Sequence, residues 1–344
     1  MKNYALKDEN AVFYECGFSC DNQVFLKFGS EAFFITDARY TQEAKESIKN
    51  AMVVEGERGD LFKSVRELIR KARVKKLAYD PKEWSVDAFE KLSHKLHVEF
   101  YKVPSLSHKK RIIKTQQEQD FLRTASRLGA QAFATYEAFL RKKGLGLSEQ
   151  ELHWEAQAIL KNRGSLELSF SPIVAINANA SKPHALPAQT KLQKGDLLLL
   201  DAGIKYERYC SDRTRTACFD ENFSFNKSKS RFYNATAQKV YDTVLKAQEK
   251  ALSAIKVGVK AKKIDKIARD VIDKAGFGDF FIHSTGHGVG LDIHELPTIS
   301  SRSQSIIEEG MVFTVEPGIY IPNELGVRIE DTIIVTSSGA EVIG

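Results

Sequence analysis

Three apolar runs in this chain of 344 residues end on an acid: Leu197–Leu200 precedes Asp201, Met311–Val315 precedes Glu316, and Val327 and Ile329 precede Glu330. A carboxylate at the end of a buried strand needs a partner, because an unpaired buried charge is strongly unfavourable. Two kinds of partner fit. Arg213, Arg215 and Arg328 could form structural salt bridges, or a metal ion could serve several acids at once. The stretch HSTGHGVGLDIHE bears on the choice, because it gathers His283, His287 and His294 in a chain with only eight histidines. A single histidine is more often structural, but acids and imidazoles that share one region are the material of a metal site. His283 and His287 have the i, i+4 spacing of a helical zinc pair. Gly286, Gly288 and Gly290, interleaved with Thr285 and Val289, instead predict strand or loop and argue against a helical zinc motif.

These residues need a scaffold, and the length predicts two domains with separate cores. The apolar runs VFLKF and AFFIT around Gly29-Ser30 read as a hairpin. A polar helix at 41–49, a strand at Met52–Glu55, a helix at Leu61–Ala72, a strand at Leu77–Tyr79, a helix at Ser85–Leu96 and a strand at Val98–Val103 complete an α/β layer pattern. No catalytic constellation falls in it. Pro104–Lys114 reads as a polar, basic linker. Thr115 with Glu118, and Ser148 with Glu151, are capping boxes that open a long helix and a second one running to Gly164. Strands are expected at 168–176 and 196–219. After Ser228 the order repeats, with helices to Ile255 and from Ala261 to Ala275 and strands around 280–289 and 311–321. Two helices precede strands twice, which suggests an internal duplication whose halves bring polar residues to a shared centre.

Composition excludes several classes. Hydrophobic residues make up 42% and charged residues 28%, an ordinary globular balance rather than a disordered one. No apolar run approaches the roughly 20 residues of a membrane span, and the start Met1-Lys2-Asn3-Tyr4 has no signal-like apolar segment, so a cytoplasmic location is expected. The four cysteines lack CxxC spacing and read as free thiols. The formal charge of +6 is spread over short basic clusters at 71–76, 109–114 and 260–263, read as solvated faces, so no nucleic-acid partner is expected.

The blocks SPIVAINANASKPHALP (171–187), DAG at 201, SDRTRT at 211, GHGVGLDIHELP at 286, EPGIY at 316 and GVRIEDT at 326 occur in an order that resembles the pita-bread metallopeptidases, family M24. Within that family the likeness is to the branch of Xaa-Pro aminopeptidases (aminopeptidase P) and Xaa-Pro dipeptidases (prolidases). FITDARY also resembles their creatinase-like N-terminal domain. The resemblance implies an α/β creatinase-like domain over 1–113, followed over 114–344 by an α+β pita-bread catalytic domain with a pseudo-twofold internal duplication. It implies two divalent metal ions. Asp201 would chelate one, Asp212 and Glu330 would bridge both, and His287 with Glu316 would complete the second.

Four carboxylates against two divalent ions balance formally, and the oxygen-rich set with one imidazole favours Mn²⁺, with Co²⁺, Zn²⁺ or Fe²⁺ as alternatives. The implied reaction is hydrolysis of the bond between an N-terminal residue and a following proline by a metal-bridging hydroxide, in a homodimer. The family pattern places His184, His283 and His294 near the substrate, with His283 open to a packing or pocket-lining role. Arg328, two residues before Glu330 on one strand face, can orient ligands or substrate, and Thr214 stands likewise to Asp212. Ile176-Asn177 departs from the Ser-Gly of many relatives and bears on pocket shape. Two other readings use the same fold: methionine aminopeptidase, which fits the HELP and GVRIED blocks less well, and a metal-free binding module, which should have lost ligands.

Overall fold

Gln23–Phe28 and Glu31–Thr36 pair antiparallel across Gly29-Ser30, as their alternating apolar residues predict. The computed structural model describes residues 2–344, which divide into two units, 2–110 and 111–344. In the first, the hairpin belongs to a six-stranded sheet in the order Met52–Glu55, Glu31–Thr36, Gln23–Phe28, Asn3–Leu6, Lys76–Tyr79, Glu99–Lys102. Successive side chains leave a strand on opposite faces. Tyr4, Leu6, Phe25 and Phe34 therefore pack on one side with Val12, Cys16 and Ile48, while Ala5, Val24, Leu26 and Ile35 pack on the other with Val65, Ile69 and Leu92. Helices cover both faces, and each large apolar side chain so buried contributes about 1.5–3 kcal/mol.

The second unit contains the two expected pairs of helices. Gln116–Phe139 and Glu149–Leu160 form one pair, and Ala235–Ser253 and Ala261–Lys274 the other. Both capping boxes are present: Thr115 and Ser148 each accept from the backbone N–H three residues on, and Glu118 and Glu151 each accept from the cap residue's N–H at 2.8 Å. The second helix stops at Leu160, short of Gly164, because Asn162 and Arg163 turn to φ 42° and 59°. Each pair backs strands, giving the duplicated α+β arrangement.

Leu197–Ala202 lies between Arg213–Cys218 and Ile173–Ile176 in an antiparallel sheet. Its leucines alternate between the two helix pairs: Leu198 and Leu200 pack with Phe133, Tyr136 and Leu152, Leu197 and Leu199 with Val240, Tyr241 and Val244. A five-stranded sheet contains Gly286–Gly288, Glu295–Ile299, Val312–Val315, Asp331–Thr336 and Gly339–Ile343, and Gly318–Ile321 pairs with Leu325–Arg328 as a hairpin. The basic segment before Thr115 departs from the expected solvated linker. Leu106–Lys110 is a short helix, and Arg111 and Lys114 are buried.

Candidate metal centre

Strand pleat and register bring the acids together. Asp201 shares the strand face of Leu197 and Leu199 and pairs across the sheet with Thr214. Thr214 Oγ1 donates to Glu330 Oε2 at 2.7 Å, and Glu330 N donates to Thr214 O at 3.1 Å. Glu316 follows Val312–Val315, its N–H bonded to Thr285 O at 2.8 Å, and its Oε1 accepts from Thr314 Oγ1 at 3.2 Å.

His287 lies on the strand Gly286–Gly288, as its glycine neighbours predict, and not on a helix. Gly286 is required there, since a Cβ would stand 1.9 Å from Thr314 O. Nδ1 of His287 lies 3.1 Å from Gly288 O, an N–H to carbonyl bond that leaves the Nε2 lone pair facing the acids. Nε2 is 3.3 Å from Glu316 Oε1 and 3.6 Å from Asp212 Oδ2. Ligand atoms of Asp212, His287 and Glu330 all lie within 4.8 Å of one another.

Counter-charge is scarce. Arg328 is the arginine that reaches these acids, donating through Nη2 to Asp201 Oδ2 at 2.7 Å, Nε to Thr214 Oγ1 at 3.0 Å and Nη1 to Tyr320 Oη at 2.8 Å. Arg215 pairs instead with Asp331. Burial, then repulsion from Glu330, Asp201 and Glu316, drives the Asp212 carboxyl well above its ordinary range; burial, then Glu316 and Asp201, does the same to Glu330, and burial raises Glu316. Burial holds His287 and His283 below the usual histidine value. Asp201 Oδ1 is buried with no donor. A divalent cation would satisfy that oxygen, the His287 lone pair and the crowded carboxylates together, so the residues present fit a metal.

These four acids and His287 line a cleft of about 500 Å³ together with His184, His283, His294 and Arg328. His184 and His294 are exposed, and the His294 ring lies edge-on to His287 at 4.3 Å between centroids. His283 is committed at both nitrogens, Nδ1 to Ser284 O and Nε2 to Tyr320 Oη, each at 2.8 Å. The walls include Phe170, Pro172, Ile173, Leu186 and Ile293. Sequence reasoning missed Tyr320, which joins His283 to Arg328, and Thr314, which holds His287 N and Glu316. Both are internal to blocks whose neighbours drew attention, EPGIY and MVFTV. A larger cleft of about 1120 Å³ in the first unit, lined by Arg39, Glu57, Arg58 and His94, gathers no comparable set of ligands.

Acids and an imidazole converging within a duplicated α+β body define the pita-bread class of metallohydrolases. Residues 120–337 match metallopeptidase family M24 and residues 2–113 match the creatinase/prolidase N-terminal domain, so the chain belongs to that metallopeptidase family. An Xaa-Pro dipeptidase of Pyrococcus furiosus is 38% identical over 243 residues, 71% of this chain and 66% of the relative. The structure of an Xaa-Pro dipeptidase from Bacillus anthracis superposes with a TM-score of 0.91 at 34% identity, covering 99% of this chain and 92% of that one. An X-Pro aminopeptidase from Thermotoga maritima gives 0.85 at 29% identity, covering 99% and 95%. No helix among the described residues is long and apolar enough to cross a membrane.

Proposed function

We propose that this chain is a dinuclear-metal exopeptidase that hydrolyses the bond between an N-terminal residue and a following proline, with Xaa-Pro dipeptides as preferred substrates. The observation that carries this reading is the meeting of four acids and an imidazole, with Arg328 as their one neighbouring arginine among the described residues, and two exposed histidines in one cleft. Asp201, Asp212, His287, Glu316 and Glu330 would hold two divalent ions, Mn²⁺ first among them for this oxygen-rich set. Bound there, such ions supply Lewis acidity, polarising a carbonyl and lowering the pKa of water toward neutrality.

The chain's own groups do the rest. Arg328 fixes the Asp201 carboxylate, and Thr214 fixes that of Glu330. Tyr320 is held between Arg328 and His283, which keeps the guanidinium in one orientation. The exposed rings of His294 and His184 can donate N–H bonds to the substrate carbonyl and to the oxyanion that develops from it, the geometry in which preorganised donors act most strongly. Phe170, Pro172 and Ile293 offer apolar surface to the substrate and exclude water.

A cleft of this volume suits a dipeptide, and the dipeptidase names of the Pyrococcus and Bacillus relatives support the shorter substrate. The test is hydrolysis of Ala-Pro, Ala-Pro-Ala and Met-Ala-Ser by Mn²⁺-loaded protein, with metal content measured on the same sample. Ala-Pro should be cleaved at least about tenfold faster than the others, a difference of about 1.4 kcal/mol. Faster cleavage of Ala-Pro-Ala would favour the aminopeptidase reading that the Thermotoga structure supports. Intact proline substrates would sink both.

A further inference from the structure

His294 carries its proposed role on a segment whose fixed shape depends on charges from far along the chain. Residues 290–295 fold around the Glu295 carboxylate. Asp292 N donates to Glu295 Oε1 at 3.1 Å, Gly290 N donates to Asp292 O at 3.1 Å, and Cys210 N donates to Gly290 O at 2.8 Å. At Gly290 a Cβ would lie 2.6 Å from Glu295 Oε2, so only glycine lets the carboxylate sit inside the bend.

Two bases from just before the helix Gln116–Phe139 close on that carboxylate. Arg111 Nη2 is 3.1 Å from Glu295 Oε1 and also bonds Asp292 Oδ2, and Lys114 Nζ is 3.1 Å from Glu295 Oε2. These side chains are 2% exposed for Arg111, 1% for Lys114 and 0% for Glu295. Lys114 is itself anchored, since Lys114 N donates to Gly310 O at 2.9 Å and Lys114 O accepts from Gln119 Nε2 at 3.0 Å. His294 lies between the two clamped acids in sequence. Its neighbour Glu295 is buried in the clamp while its own ring is exposed against His287.

Ionic clusters this deeply buried add little stability over an apolar filling of the same shape. What they supply is a single geometry for the segment that carries them. We propose that Arg111 and Lys114 are positioning residues for hydrolysis, acting through Asp292 and Glu295 to hold His294 beside His287. The proposal rests on the reading that His294 touches substrate, and H294A alone tests that reading.

Lys114→Met should lower kcat by about 10–100-fold, the usual loss when the support of a working group is removed. KM and bound metal should stay within about twofold, since His294 is not among the proposed ligands, and Lys114→Arg should recover most of the rate. The decisive measurement is a double-mutant cycle. If the clamp acts through His294, then in an H294A background Lys114→Met costs less than about twofold more. Asp292→Asn, at a side chain 27% exposed, gives a milder variant should Lys114→Met not fold, and it should lose kcat severalfold with the same non-additivity. Multiplying losses, loss of metal, or an unchanged kcat in a folded variant would overturn the proposal. An H294A enzyme with full activity would overturn the His294 reading and this one with it, while leaving the metal ligands untouched.

Discussion

Glu330 and Asp331 are consecutive acids, 1% and 3% exposed, and burial pushes both carboxyls upward. They end at opposite extremes. Asp331 faces Arg215 and Lys227 and accepts from Gln248 at 2.8 Å, and these bases outweigh its burial and hold it down to about 2. Glu330 faces Glu316 and Asp201, is relieved in part by Thr214 and Arg328, and stays well above its ordinary range. One chain segment thus presents a satisfied acid on one side and an unsatisfied one on the other. The protein can supply bases where it needs them, so leaving a carboxylate cluster short of positive charge marks where a cation belongs. Glu295, like Asp331, is a buried acid paired with two bases, here Arg111 and Lys114.

Neutralising each acid should break this contrast in opposite directions. Glu330→Gln removes a proposed ligand and should depress kcat/KM with Mn²⁺ by ~10³-fold or more, the equivalent of several kcal/mol. The same change relieves repulsion, so in EDTA its melting temperature should rise above that of the parent. An active E330Q enzyme, or one less stable without metal, would undo the comparison. Asp331→Asn strands Arg215 and Lys227 and should lose ~3 kcal/mol in urea unfolding, with less effect on metal content than E330Q has.

Glu83 in the first unit lies between these cases. It accepts from the backbone N–H of Lys7 at 3.1 Å, and burial raises it to about 7. Its folded value lies above the ordinary 4.5, so its contribution is fully present below pH 4.5 and is lost as pH rises through 7. Glu83→Gln should flatten that part of the stability profile, by about 2–4 °C in melting temperature at pH 8 relative to pH 5. An unchanged profile would show that backbone donors alone satisfy this acid.

Much of this was readable beforehand where the signal was local. Acids that close apolar runs, glycines around His287 and the Thr115 and Ser148 boxes each depend on residues a few positions apart, and their geometry follows from strand pleat and helix caps. The opening strand Asn3–Leu6 and helix Glu9–Cys16 escaped because each is short, although Asp8 accepting from Ala11 N and Gly17 at φ 76° cap the helix. Burial of Arg111 and Lys114 escaped for another reason. A basic run reads as solvated unless its acids are known, and Glu295 lies 181 positions beyond Lys114. Tyr320 was hidden likewise, since a tyrosine becomes a link between Arg328 and His283 only once the hairpin and the segment before Gly286 are placed.

Arg328 meets Asp201 across 127 positions, and Thr214 meets Glu330 across 116. Chains are made from the N-terminus at about 5–20 residues per second. A growing polypeptide therefore exposes Asp201 and Asp212 for several seconds before Glu330 and Arg328 exist. During that interval the early acids have neither their guanidinium nor their partner ligands, and they can grip a cation only weakly. Selective capture of the proposed metal thus waits until Arg328 and Glu330 have been added, so the cation would be chosen by a formed cavity and not by a nascent strand.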